Sequence, residues 1–150
     1  MKIPEPLFAV INIVVGALLR SPLHFLMSKD IMIITFTGRN SGRKFSTPVR
    51  YIHVDGIVRC FTSTETRWWR NLRGNANVEL LIEGNNHWYR PTVSDRDPEL
   101  TRQKLEHFLA LFPQDAAYQN IRLNKDKSLN TEDLDAAIKT AIIVELERAE

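Results

Sequence analysis

Most of the apolar runs in this chain are short and β-branched, or they alternate, and only one stretch carries a clear helical period. Ile31–Thr37 (IMIITFT) has the composition of a buried strand. It ends at Gly38-Arg39-Asn40-Ser41-Gly42-Arg43, a turn whose glycines free the backbone from side-chain sterics. A second strand is expected over Phe45–Val54. Pro48 lies inside it and brings no N–H, which predicts an edge position, a bulge or a local break in pairing. Asp55-Gly56 is a hairpin signal leading into Ile57–Thr62. Val78–Ile82 and His87–Val93 flank Gly84-Asn85-Asn86, and Ala141–Leu146 supplies a last β-branched strand.

Helical signals are fewer. Asp97-Pro98-Glu99 combines a cap, a proline at the first position and an acid in the first turn. Leu100, Leu105, Phe108, Leu109 and Phe112 then form one apolar face, and Pro113 ends the helix. Thr64–Arg73 reads as a short helical segment around Trp68-Trp69, with Gly74 as its C-cap. Gln114–Lys139 is polar and helical in part, best at Thr131–Ala137, and within it Asn124–Lys139 reads as a lid or a surface excursion.

Leu7–Leu19 (LFAVINIVVGALL) predicts an apolar helix. At the usual rise it spans about 20 Å, short of the ~30 Å hydrocarbon core. It resembles a signal-peptide apolar region, but no small-residue cleavage site follows. The expectation is a helix packed on the barrel or lying at a membrane surface. Strands joined by only one long crossover predict a single α+β domain over 1–150. That domain has an apolar helix in 1–27 and a mostly antiparallel barrel with flanking helices in 28–150.

Composition narrows the function classes. Hydrophobic residues make up 43% and charged residues 25%, as in an ordinary globular domain. A net charge of +2 is too small to indicate a polyanion, so nucleic-acid binding through Arg39, Arg43, Lys44 and Arg50 is not expected. The lone Cys60 excludes an internal disulfide and reads as a small core hydrophobe. No Cys/His spacing matches a metal site, and the scattered histidines form no nucleophilic triad. A cytoplasmic location fits the single cysteine, with peripheral contact at the inner face of the membrane through 7–19.

The stretch Thr37–Tyr51, TGRNSGRKFSTPVRY, interleaves glycines with hydroxyls and guanidinium groups. Such a turn can hold an anion through backbone N–H groups and arginine, although it is neither a phosphate-binding Walker loop nor a dinucleotide fingerprint. On residue chemistry alone it reads as a basic hairpin turn on a solvated surface.

The order T-G-R-x-S-G-R, P-V-R-Y, then W-W-R-N-L-R resembles the deazaflavin-dependent nitroreductase and quinone-reductase family of split-barrel oxidoreductases. Phe112-Pro113-Gln114-Asp115-Ala116-Ala117-Tyr118-Gln119 resembles that family's Y-P-x-Y-x-x-Y-Q signature. The likeness runs from about Ile34 to Gln119. It implies an FMN-binding-like split β-barrel that takes hydride from the deazaflavin coenzyme F-420 or FMN. The acceptor would be a small hydrophobic molecule such as a quinone, enone or nitroaromatic.

By position, the resemblance puts Arg39, Ser41 and Arg43 at the phosphate or acidic tail, and Thr47, Pro48 and Val49 along the ring edge. Ser63 and Thr64 would add phosphate contacts, and Trp68, Trp69, Asn71 and Leu72 would close the pocket. Tyr118 is the one tyrosine of the signature retained, and so the candidate proton donor. Read as core aromatics, one of the two tryptophans would pack inward instead.

Asn40, Phe45 and Thr64 stand where the family carries basic residues, and Phe112 and Asp115 replace tyrosines. Those departures leave the cofactor open between F-420 and FMN. They also motivate an alternative, a non-catalytic barrel that binds a lipid, haem or flavin. Relatives of this fold include monomers and homodimers, and either state is compatible with the sequence.

Overall fold

In the computed structural model the described residues are 29–74, 76–94 and 97–149. The helix expected at 7–19, and the 1–27 segment as a whole, lie outside them.

Among the described residues the strands are β1 (Ile31–Thr37), β2 (Lys44–Arg50), β3 (Ile52–Val54), β4 (Ile57–Ser63), β5 (Val78–Ile82), β6 (Asn85–Ser94) and β7 (Ala141–Arg148). They form one sheet in the order β2-β1-β5-β6-β7-β4-β3, with every pairing antiparallel. β2 and β3 lie at opposite ends of that order, yet only Tyr51 separates them in sequence. The sheet must therefore roll until its two edges meet at Tyr51. The result is an α+β split β-barrel.

One expected strand, Phe45–Val54, thus serves both edges. The break falls at Tyr51, whose N–H leaves the ladder and donates to Asp30 O at 3.0 Å. Pro48 lies opposite Ile33 on β2, which pairs with β1 alone, so the missing N–H costs no second ladder. The hairpin at Asp55-Gly56 forms with both residues at positive φ, 51° and 82°. The next hairpin turns at Glu83-Gly84, one residue earlier than the glycine-asparagine cluster implied, and β6 starts at Asn85.

Period-two alternation sorts the side chains. Met32, Ile34 and Phe36 of β1 point into the barrel with Val58 and Cys60 of β4 and Ile142, Val144 and Leu146 of β7. Burial pushes the Cys60 thiol up to about 12, as befits an inert core residue. A second core lies outside the sheet under α1 (Pro98–Leu111) and α2 (Thr131–Ala137), and is built on Leu105, Phe108, Leu109 and Leu134.

The Asp97 carboxylate caps α1 by accepting from Leu100 N at 3.1 Å. The buried face of α1 carries Thr101, Leu105, Phe108 and Leu109. Leu100, placed on that face by its side-chain type, is 41% exposed because it precedes the i, i+4, i+7 row by one residue. The helical segment expected to be capped by Gly74 is a 3₁₀ turn, Trp68–Leu72, ended by extended Arg73. Among the described residues no helix is long and apolar enough to cross a membrane.

Candidate functional site

A cavity of about 490 Å³ opens at the barrel's seam, within the size range of small-molecule sites. Thr47, Pro48, Val49 and Arg50 of edge strand β2 form one wall. The end of β4 contributes Phe61, Thr62 and Ser63, and α1 closes the opposite side with Leu105, Phe108 and Leu109. A second 3₁₀ segment, Pro113–Gln119, lines it with Asp115, Tyr118 and Gln119. Among the described residues β2 bonds to β1 alone, so the main-chain groups along its other side have no sheet partner there. A flat polar ring edge could use them.

Of the residues singled out in the sequence, Thr47, Pro48, Val49, Ser63, Trp68 and Tyr118 line this cavity. Tyr118 is 65% exposed and stands at its mouth. The two tryptophans diverge. Trp68 is half-buried against the cavity, whereas Trp69 is buried in the core and donates its indole N–H to Ser63 O at 3.0 Å and Thr66 O at 2.9 Å. Leu72 is buried beside it. Thr64 is exposed, with its backbone N–H donated to Thr140 O.

Arg39, Ser41 and Arg43 lie on the exposed turn between β1 and β2, outside the cavity wall. Asn71 bridges the two regions. Its side-chain carbonyl accepts from Arg39 N at 3.0 Å, which ties the turn to the Trp68–Leu72 segment. Gly42 holds φ +69°, open to glycine at little cost. A Cβ on Gly38 would meet the Phe45 ring at 2.7 Å and Ser41 Oγ at 2.8 Å.

The expected anion cradle of main-chain N–H groups is largely spent within the protein. Gly38 N donates to Arg43 O, Gly42 N to Gly38 O, Arg39 N to Asn71 Oδ1, and Arg43 N to Ser41 Oγ. An anion here would rely on the exposed Arg39 and Arg43 guanidinium groups. Phe45, at a position where a cation was expected by resemblance, stacks on Phe36 at 5.9 Å and lies under Arg43.

Two polar features were not legible in the sequence. Arg50 Nε donates to Asp115 Oδ2 at 2.9 Å, and its guanidinium covers the Phe112 ring at 4.8 Å. Burial pushes the Asp115 carboxyl above the usual range, against the pull of Arg50. Gln119 is buried and donates its amide to Thr62 O at 3.1 Å, which fixes the amide's orientation. Its other end, Oε1, is buried without a partner among the described residues. The available signal was strand parity, which sets Arg50 on the same face as Pro48. Nothing local joins residue 50 to residue 115.

The polar excursion after Gln119 bonds within itself and, through Asp135, to Arg102 of α1. Asn124 N donates to Ser128 O, Arg122 bonds Asp133, and no residue from 120 to 140 lines the cavity. Among the described residues no cluster of histidine, cysteine and carboxylate side chains could hold a metal.

The fold is that of the flavin-type split barrels. One solved structure of this fold, a pyridoxamine 5'-phosphate oxidase-like protein from Listeria innocua, is 10% identical, with a TM-score of 0.55 over 85% of this chain and 90% of that one. An F-420-H2-dependent reductase is 19% identical, with a TM-score of 0.51 over 77% of this chain and 94% of that one. An FAD-binding protein from Mesorhizobium loti is 10% identical, with a TM-score of 0.53 over 92% and 89%. No protein-family model and no curated protein matches the chain.

Proposed function

We propose that this chain is an oxidoreductase that passes a hydride from reduced F-420 or FMN to a hydrophobic acceptor such as a quinone, enone or nitroaromatic. The observation that carries this reading is the joining of an apolar cavity to the open edge of β2, beside a turn bearing Arg39 and Arg43. Solved flavin- and F-420-dependent proteins with the same fold support it.

The residues present fit such a cofactor. Thr47, Pro48 and Val49 offer main-chain groups to a ring edge, and Trp68 offers an aromatic wall. Arg39 and Arg43 offer charge-assisted bonds to phosphate, with the Ser41 hydroxyl on the same turn and the hydroxyls of Ser63 and Thr64 at the end of β4. Buried Trp69 and Leu72 act by fixing the segment that carries Trp68 and Asn71. The cofactor supplies the two-electron chemistry when bound; the chain orients it and keeps water out. Leu105, Phe108 and Leu109 would make the acceptor's side apolar, and Tyr118, in the cavity lining, would give a proton.

Oxidation of reduced F-420 and of reduced FMN should be followed with menadione as acceptor. A rate above background with one cofactor supports the reading. Background rates with both, together with co-purified fatty acid or haem in native mass spectrometry, would replace it with the non-catalytic binder.

A further inference from the structure

Arg50 gives the cavity a cationic group, which no other residue of its lining carries. Its Nε is held by Asp115, while the Nη groups of the same guanidinium have no partner among the described residues. The Arg50 side chain is 24% exposed, Asp115 only 12%, and both line the cavity. The guanidinium is clamped twice, by the carboxylate along one edge and by the Phe112 ring across its face. It is therefore preorganised, with hydrogen-bond donors left over.

Charge decides what those donors suit. Arginine and aspartate together are neutral, so a neutral oxygen adds a hydrogen bond without adding charge to an apolar cavity. A carboxylate would bring a net negative charge into a space walled by Phe61, Leu105, Phe108 and Leu109, where desolvation is costly. We propose that the Arg50–Asp115 pair is a specificity device that selects apolar rings carrying a neutral carbonyl or nitro oxygen and turns away their carboxylate counterparts. What it adds to the activity proposed above is the pair that does the selecting and the exclusion of carboxylates, and it rests on that reading only for the acceptor's role.

The test uses the full chain without cofactor and three probes on one ring skeleton: acetonaphthone, naphthoate and ethylnaphthalene, titrated by calorimetry at neutral pH. The ketone should bind about tenfold tighter than the other two, the worth of one hydrogen bond to a charged donor. Arg50→Met should bring ketone and hydrocarbon to equal affinity. Asp115→Asn should invert the order by leaving an uncompensated guanidinium, so that naphthoate becomes the tightest. Far-UV circular dichroism and thermal melts establish that both variants are folded.

Tightest binding of naphthoate to the unaltered chain, a ketone advantage that survives Arg50→Met, or binding of none of the three would each overturn the inference. A chain that prefers the ketone but binds neither F-420 nor FMN keeps this inference and loses the redox reading.

Discussion

Two carboxylates of this barrel each pair with an arginine, one buried (Arg59) and one partly exposed (Arg50), and the fold shifts their pKa values in opposite directions. On the wall between sheet and helix, Arg59 bonds Glu145 across β4 and β7, and Lys104 of α1 reaches the same carboxylate at 3.1 Å. Burial works against that charge, yet the two cations outweigh it and hold Glu145 below the usual carboxylate range. At the cavity, Asp115 has Arg50 alone, and burial wins. A structural pair is saturated with partners, whereas the cavity pair keeps unused donors on its arginine and stands where a ligand could meet them. Counting partners separates the two more cleanly than counting charges.

The largest effect should come from breaking the saturated pair. Glu145→Ala strands Arg59, which is 8% exposed, and should cost about 3 kcal/mol by urea denaturation. Asp115→Asn should change stability by less than about 1 kcal/mol at neutral pH, because burial already works against the ionised Asp115 and Arg50 keeps its contact with Phe112 and partial access to water. An equal loss at both sites would erase the distinction.

Acid titration sharpens it. Glu145 is depressed in the fold, so its contribution is present above the ordinary carboxylate pKa of about 4 and is lost as pH falls through its lower folded value. The stability gap between the unaltered chain and Glu145→Gln should close in that window. Asp115 is raised, so its contribution is present below about 4 and is lost as pH rises through the higher folded value. Relative to Asp115→Asn, the unaltered chain should therefore gain stability on acidification. The smallest change in stability should follow Tyr118→Phe, within about 0.5 kcal/mol for so exposed a residue. Its effect should appear instead as slower turnover of acceptor, measured as kcat.

Much of the barrel was legible because hairpins and strands write themselves locally. Asp55-Gly56 has turn chemistry, and Ile31–Thr37 is a short apolar, β-branched run of strand length ended by a glycine turn. The split at Tyr51 was not legible, since both halves of 45–54 read as one continuous strand and only closure of the sheet demands the break. Leu100 misled because residue type was followed ahead of helical phase. At the site, Thr47, Pro48 and Val49, singled out through their motif, line the cavity. The Arg50–Asp115 contact could not, because it depends on a 3₁₀ segment packing across the seam from β2. The turn's main-chain N–H groups were expected to face an anion; Asn71, a residue from another segment, claims one of them.

The most direct test of the proposed activity is a fluorescence titration of the purified chain with F-420 and, in parallel, with FMN. Micromolar or tighter binding of one of them, weakened at least tenfold by Arg39→Ala with Arg43→Ala, is the expected result. Binding of neither would contradict the redox reading and leave a split barrel whose cavity serves another ligand.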